Sequence, residues 1–337
     1  QDAPSLVTDI KYNSGTNGGT ISFKVDKENI RQGNALIAIK DSQNTILWSW
    51  HIWITDENIY HTIKVTNHQN VSHDLMPIHL GWCEGEVINY AARSCQVQFI
   101  AHGQTRLITV NQMRSTTSTQ GNCTFYEWGR KDPLRPSSGY AYKNKTWYNA
   151  AGIASTANHA VESFPFGNEC IKNYIRKPDV MQKEIGGDNT YFNLWNADNN
   201  TNSNVYNDNP VTKTVYDPCP VGFAMPPSNT FTGFTTTGEN VTNTVAKYNG
   251  EWNSSLPGWN FYCGPNKTGG TIFFPMTGER ISSGGHLSAV GSLGHTWSAT
   301  STHSNYAHNL TLYTNYWVWP LDRFSKSAGH GVRPCLE

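Results

Sequence analysis

Short runs of alternating apolar and polar residues fill the first third of this chain and limit the folds that it can adopt. In one such run, Ile21, Phe23 and Val25 alternate with Ser22 and Lys24. Successive side chains of a β-strand point to opposite faces of a sheet, so this period of two predicts a strand with one buried face. The region shows no helical periodicity, and the pattern therefore favours an arrangement of strands.

Two pairs of runs predict β-hairpins. Residues 35–40 and 45–55 flank the turn sequence Asp41 to Asn44, and residues 95–99 and 105–110 flank a second turn. Turn residues between two alternating runs are the usual signal of antiparallel pairing. About six such strands without a helix predict an immunoglobulin-like β-sandwich.

The polar run from Arg114 to Gly121 has neither the strand period nor the helix period, and it marks a predicted domain boundary. Residues 1–115 form the predicted β-sandwich, and residues 122–337 form a second domain that is rich in glycine, asparagine and threonine. A chain of 337 residues is long enough for two domains that each bury a core. The predicted fold class is mainly β, with a loop-rich α+β second domain.

The balance of charge argues against binding to nucleic acid, and the lack of a long apolar run argues against a membrane span. Charged residues make up 15% of the chain, against roughly 25% in a typical globular protein, and lysine plus arginine equals aspartate plus glutamate at 25 each. A balanced surface has no field that attracts nucleic acid. Since no apolar run reaches the roughly 18 residues needed to span a bilayer, we also expect no transmembrane segment.

The cysteines and histidines carry no metal or cofactor signature. The 7 cysteines lack a C-x-x-C pair, and the 12 histidines lack the His-x-x-x-His spacing of a zinc-binding helix. An odd number of cysteines leaves at least one free thiol, and pairings such as Cys83 with Cys95 or Cys219 with Cys335 stay open. We therefore expect no metal site and no cofactor.

The segment between Trp297 and Cys335 is the most informative one for function. It is rich in histidine, asparagine, tyrosine and tryptophan and poor in aliphatic residues, which is typical of a contact surface. Tyrosine and tryptophan supply large contact areas at a low cost in side-chain entropy. We predict a ligand-binding face within residues 286–331. Its candidate residues are His303, Asn305, Tyr306, His308, Tyr313, Asn315, Tyr316, Trp317, Trp319, Asp322, Phe324 and His330.

Several segments, in order along the chain, carry a family resemblance: Asn34–Ala38, Ile46–Trp53, Leu80–Cys83, Trp128–Pro133, Tyr216–Phe223, Gly258–Cys263 and Ser327–Pro334. They resemble the fimbrillin family of Bacteroidales surface proteins, which includes the structural and tip subunits of pili. The second half is similar to the major paralogous domain of those proteins, which is related to the C-type lectin-like fold.

This resemblance implies an adhesin or pilus-tip subunit, displayed on the cell surface in a fimbrium, whose lectin-like domain binds an external protein or glycan. It implies that strands of the sandwich precede Gln1, and that a neighbouring pilin donates a strand to the open sheet edge. The terminal segment also resembles the hypervariable segments of proteins diversified by retroelements. Gly264–Asn266 lacks the acidic residue of calcium-dependent sugar motifs, so no such calcium site is expected.

Two alternatives stand beside the adhesin. A cell-surface carbohydrate-binding protein for glycan capture would stack a sugar ring on Tyr316 or Trp317. An enzyme similar to formylglycine-generating enzymes, which share the lectin-like fold, would need Cys263 close to Cys335. Gly81–Gly85 has the spacing of a nucleophile elbow with cysteine in place of serine, but it does not lie between a parallel strand and a helix. We therefore predict that the chain is not an enzyme.

Overall fold

The computed structural model describes residues 1–337 except 17, 29, 86, 119, 166, 184–192, 200–204, 303, 304 and 315. Strands dominate these residues, and the predicted mainly-β class is confirmed. Helix is confined in this described part to one α-helix and three short 3-10 segments. None of these helices combines the length and hydropathy that crossing a bilayer demands.

Both predicted hairpins are present in the first part of the chain, as β3 with β4 and β8 with β9. Their positions follow from the alternating sequence, because each pairs two alternating runs across a turn. The described strands before residue 120 are β1 (Thr8–Gly15), β2 (Gly18–Lys24), β3 (Gly33–Lys40), β4 (Ile46–Ile54), β5 (Ile63–Thr66), β6 (Ser72–Leu75), β7 (Val87–Tyr90), β8 (Arg93–Ala101), β9 (Gln104–Gln112) and β10 (Ser115–Ser118).

The second part contains short strands between long loops, followed by three longer strands near its end. The described elements are β11 (Trp147–Tyr148), β12 (Ala154–Ser155), β13 (Val161–Glu162), α1 (Asn168–Arg176), β14 (Met181–Gln182), β15 (Phe223–Ala224), β16 (Val241–Thr242), β17 (Gly250–Asn253), β18 (Gly258–Gly264), β19 (Thr268–Pro275), β20 (Glu279–Arg280), β21 (Leu287–Ser288), β22 (Leu293–Ser301), β23 (Tyr306–Tyr313), β24 (Trp317–Ser325) and β25 (Cys335–Leu336). The 3-10 segments are Ser228–Phe234, Val245–Lys247 and Pro265–Lys267.

A four-stranded sheet joins the two halves of the chain. Its strand order is β15-β25-β6-β5, so the hairpin of β5 and β6 pairs with the C-terminal strand. Each of the two large core clusters also draws on both halves. Val65 and Leu75 pack with Phe274 in the first cluster, and Met76 and Leu80 pack with the second, around Trp128, Trp195 and Trp297. The segment 63–83 therefore folds with residues from beyond the predicted boundary.

The other strands of the predicted sandwich pair two by two within the described residues, as β1 with β2, β3 with β4, β7 with β10 and β8 with β9. An immunoglobulin-like sandwich needs two larger sheets packed face to face. The described pairings do not include such a pair of sheets, because β5 and β6 belong to the sheet that contains the C-terminal strand. The sandwich stays a prediction from the strand pattern, and the lectin-like domain stays a prediction from the resemblance.

Strands β7 to β10 form one long two-stranded ribbon, residues 87–118. Its register continues unchanged from the Tyr90–Ser115 pair to the Arg93–Gln112 pair and on to the turn. The outer part is exposed along almost the whole of both strands. Pairs that include Cys95–Val110 and Val97–Ile108 give one of its faces an apolar character. An isolated ribbon of this kind is marginally stable in water.

Candidate functional site

The predicted binding face lies on the antiparallel sheet with the order β16-β24-β23-β22. Its few aliphatic residues anchor the inner side, where Leu310, Leu312 and Val318 are buried in the first core cluster. Because side chains alternate along a strand, Tyr313 on β23 and the tryptophans on β24 point to the other side. The segment thus buries its aliphatic residues and leaves its aromatic rings outside this core.

Four rings gather on the outer side at the tip of the β23–β24 hairpin, and we call Tyr313, Tyr316, Trp317 and Trp319 the aromatic platform. Tyr313 pairs with Trp317 across the strands, with ring centroids 4.9 Å apart. Trp317 and Trp319 stack with their centroids 4.6 Å apart and their planes 6° apart. Tyr316 is 50% exposed, and its ring centroid lies 6.0 Å from that of Tyr313. The structure therefore brings together four of the predicted face residues.

Residues far away in sequence hold the platform in place. The Tyr316 carbonyl accepts hydrogen bonds from the Asn243 N–H, at 2.7 Å, and from the Tyr248 hydroxyl. The Trp319 indole N–H donates to Thr242 Oγ1 at 3.0 Å. Sequence reasoning missed these anchors, because Tyr248 lies 68 positions before Tyr316 and Thr242 lies 77 positions before Trp319. Fixed rings lower the entropy cost of binding a ligand.

A buried polar network lies beside the platform on the same side of the sheet. Thr311, which pairs with Trp319, donates its hydroxyl proton to Asp322 Oδ2 at 2.6 Å. His295 Nδ1 lies 3.0 Å from the same hydroxyl oxygen. Asp322 was predicted as a ligand contact, and in the structure one of its carboxylate oxygens serves this network.

Two predicted face residues are interior residues, which corrects their placement. His308 and His330 are 2% and 0% exposed. The His308 ring lies 3.8 Å from the Tyr206 ring, and the His330 ring lies between those of His295 and Trp297, at 4.3 and 4.2 Å. Stacking between aromatic rings takes the place of aliphatic packing around these imidazoles, so neither ring reaches an external ligand in this conformation.

The remaining predicted residues lie outside the platform. Phe324 is partly buried, with its ring 4.8 Å from the His330 ring. Asn305 and Tyr306 lie at the opposite end of β23, where Tyr306 is 41% exposed and pairs with Ser325. His303 and Asn315 lie outside the described residues.

The three cysteines weighed above for catalysis, Cys83, Cys263 and Cys335, are poorly suited to it. All 7 cysteines are free, and burial raises the pKa of Cys83 and of Cys335 to about 12. Burial also raises the pKa of Cys263. A thiol must ionise to act as a nucleophile, so neither the Gly81–Gly85 turn nor the pair Cys263 and Cys335 holds an activated cysteine.

A separate open cleft of about 790 Å³ is lined by residues of β3 and of β11 with the loop that follows it. Its lining includes His159, whose ring accepts a hydrogen bond from the Arg135 N–H and contacts the Asp179 carbonyl with its other nitrogen. Burial holds the pKa of His159 well below its usual range. Both ring nitrogens are thus occupied in a neutral imidazole, which leaves no nitrogen free to exchange a proton with a substrate.

Comparisons of the chain with protein-family models, with curated proteins and with solved structures find no match.

Proposed function

We propose that this chain is a non-enzymatic binding protein of the cell surface, an adhesin or pilus-tip subunit that holds an external ligand on its aromatic platform. The observation that carries the proposal is the cluster of four rings on the outer side of a sheet whose inner side is packed into the core. Rigid aromatic clusters of this kind supply much of the binding energy in protein interfaces. The C-type lectin-like assignment of residues 122–337 and the fimbrial location belong to the same proposal.

Glycan capture is the second candidate, and the near-parallel stack of Trp317 and Trp319 favours it. Flat, partly exposed indoles suit the apolar faces of sugar rings. The hydroxyl of Tyr316 would bond to sugar hydroxyls. Both candidates use the same platform, so one set of variants tests them together.

Replacing Trp317 with alanine should weaken ligand binding at least about 30-fold, the effect of losing a central aromatic contact. We would measure it with labelled protein on a glycan array and on immobilised extracellular proteins, followed by titration of each positive ligand. Trp50→Ala is the matched control, because Trp50 is 38% exposed and lies on β4, which does not belong to the sheet that carries the platform. Glycan ligands would support capture, and protein ligands would support adhesion.

The function would be rejected if ligands bound equally well to the wild type and to Trp317→Ala. A thermal melt of each variant separates this outcome from unfolding, since Trp317 lies at the rim of the sheet and its loss should leave the core intact.

The neighbouring-subunit partner is also part of the proposal, and we assign it to a second copy of this chain bound at the ribbon. Both strands of the outer ribbon are exposed, and one ribbon face is apolar, so a second copy can pack its own apolar face against it. A ribbon of about 15 residue pairs offers roughly 500 Å² per face. Two copies would bury roughly 1,000 Å², which is near the lower limit of specific interfaces. The apolar face with Val97 and Phe99 would then be covered.

Replacing residues 93–112 with a two-residue Asn-Gly turn should convert a concentration-dependent dimer into a monomer. Light scattering after size-exclusion chromatography measures this change. The removed strands are exposed, so the melting temperature should stay nearly constant. A full-length chain that is monomeric at high concentration, or a shortened chain that still associates, would contradict the assignment.

A further inference from the structure

Three side chains that can bind a metal ion meet beside the polar network described above. Glu279 lies on β20, His295 lies on β22, and His330 follows the turn after β24. One ligand atom from each lies within 4.8 Å of the other two, and His330 Nε2 lies 3.7 Å from Glu279 Oε2. His330 and His295 are almost fully buried, and the Glu279 side chain is 12% exposed.

Backbone hydrogen bonds fix the positions of all three residues. The N–H groups of Gly278 and Arg280, the sequence neighbours of Glu279, donate to the carbonyl oxygens of Leu293 and Gly329. The N–H of Gly331, which follows His330, donates to the carbonyl oxygen of His295 at 3.1 Å. A methyl group at Gly329 would lie 2.9 Å from Arg280 Cβ. The glycines around His330 therefore permit the close approach that brings its ring to His295.

The imidazoles of this cluster carry nitrogens without partners. Among the described residues, nothing accepts from or donates to His295 Nε2 or either ring nitrogen of His330. Thr311 gives its hydroxyl proton to Asp322, and its oxygen lies within hydrogen-bond distance of both His295 Nδ1 and the Asn309 amide nitrogen. The Asn309 amide nitrogen also lies 3.3 Å from His295 Nδ1, so these contacts fit either tautomer of His295. In both tautomers His295 Nε2 has no hydrogen-bond partner among the described residues. Buried polar atoms without a partner are rare in folded proteins and call for an explanation.

We propose that Glu279, His295 and His330 form a binding site for a divalent transition-metal ion, with Zn²⁺ as the best-fitting ion. Two imidazoles and one carboxylate are a known zinc ligand set, which leaves a fourth position for water or another ligand. With Nε2 bound to a metal, His295 Nδ1 would carry the proton and donate it to Thr311, which bonds to Asp322, and this is the form of the outer-shell contacts that orient metal-bound histidines. This proposal departs from the expectation from sequence that the chain has no metal site.

Binding requires a rearrangement of the imidazole rings. Zinc ligands at about 2.1 Å from a tetrahedral ion lie roughly 3.4 Å from one another. The pair of Glu279 and His330 atoms, at 3.7 Å, is already close to this spacing. The His295 and His330 rings stack with 12° between their planes, so they must tilt until their Nε2 atoms converge.

The site is missed by sequence motifs because its ligands come from three elements spread over residues 279–330. A sequence signal for the close packing of His330 is its position between two glycines, Gly329 and Gly331. Glycines on both sides of a polar residue indicate a close backbone approach.

The test uses the full chain, stripped with a chelator and titrated with ZnCl₂ in a calorimeter. Metal content after dialysis is measured by mass spectrometry. We expect one tight Zn²⁺ per chain. Co²⁺ in place of Zn²⁺ should give visible absorption bands typical of a four- or five-coordinate ion.

Two variants separate this site from surface binding. Glu279→Gln removes the charged ligand and should weaken Zn²⁺ binding by more than about 100-fold. Thr311→Val keeps all three ligands but removes the hydroxyl that orients His295, and it should weaken binding about 10- to 100-fold. His61→Gln, at an exposed histidine, should leave the affinity unchanged.

The proposal is overturned if the folded wild-type chain takes up no stoichiometric Zn²⁺, or if Glu279→Gln and Thr311→Val bind it as tightly as the wild type. Circular dichroism of the zinc-free variants shows whether they are folded, and Thr311→Val gives a second reading should Glu279→Gln fail to fold.

Discussion

Replacing Arg130 with methionine should lower the free energy of unfolding by about 3–5 kcal/mol, the cost of leaving a buried charge without its partner. Arg130 and Glu127 are both buried and form an ion pair in the interior. The second carboxylate oxygen of Glu127 accepts the N–H of Gln182 at 2.8 Å. Without Arg130, this carboxylate keeps one hydrogen bond and loses its counter-ion.

Arg130 also satisfies the backbone that follows α1. Its guanidinium donates to the carbonyl oxygens of Lys177, Pro178 and Val180 at 3.1, 3.0 and 2.7 Å. It lies 4.6 Å from the centre of the Tyr174 ring as well. The substitution therefore removes one hydrogen bond from each of three carbonyl oxygens, in addition to the ion pair with Glu127.

Urea denaturation followed by circular dichroism measures this effect. Arg176→Met is the control, because Arg176 is exposed in the last turn of the same helix and should cost less than about 0.5 kcal/mol. Glu127→Gln combined with Arg130→Met should recover part of the loss. A cost below about 1 kcal/mol for Arg130→Met would show that the pair does not organise this region.

Arg333→Met should cost about 3–5 kcal/mol, since it removes charged hydrogen bonds and leaves buried acceptors unsatisfied. The Arg333 guanidinium donates to the carbonyls of Met76, Pro77 and Phe273 at 3.0, 2.5 and 2.6 Å. It also donates to His79 Nδ1 at 2.9 Å. Arg333 thus joins the segment before the predicted boundary to the sheets after it.

Hydrogen exchange gives Arg333→Met a regional readout. We expect exchange to rise in β6, β19 and β25, the strands that contain or adjoin Arg333 and its hydrogen-bond partners, while the β8–β9 hairpin stays as in the wild type. Arg106→Met is the matched control on the exposed ribbon. Equal stability of Arg333→Met and the wild type would mean that the two halves do not depend on this contact.

Local patterns predict the local elements of this fold. The alternating runs around Asp41–Asn44 and around residue 102 predict the hairpins that the structure contains. They do not encode which hairpin joins which sheet, because pairing between β6 and β25 brings together residues 260 positions apart, Leu75 and Cys335. Such contacts depend on the whole chain, and the predicted boundary at 115–122 was drawn without them.

In the candidate site as well, the sequence predicts some residues correctly and misplaces others. The aromatic residues Tyr313, Trp317 and Trp319 are predicted by composition and are brought together by the strand register. His308 and His330 look like surface residues in the sequence, because histidine is polar and their neighbours are small. In the structure they stack with other rings in the interior, a form of burial that polarity alone does not reveal.

The most direct measurement for the central claim is fluorine NMR of the chain labelled with fluorotryptophan, titrated with the ligand selected on the arrays. The chain has 12 tryptophans, and single Trp→Phe variants assign their signals. We predict that the signals of Trp317 and Trp319 shift on binding, while those of Trp50 and of the buried Trp128 and Trp195 do not. Saturable binding that shifts other tryptophan signals and leaves Trp317 and Trp319 unchanged would contradict the account.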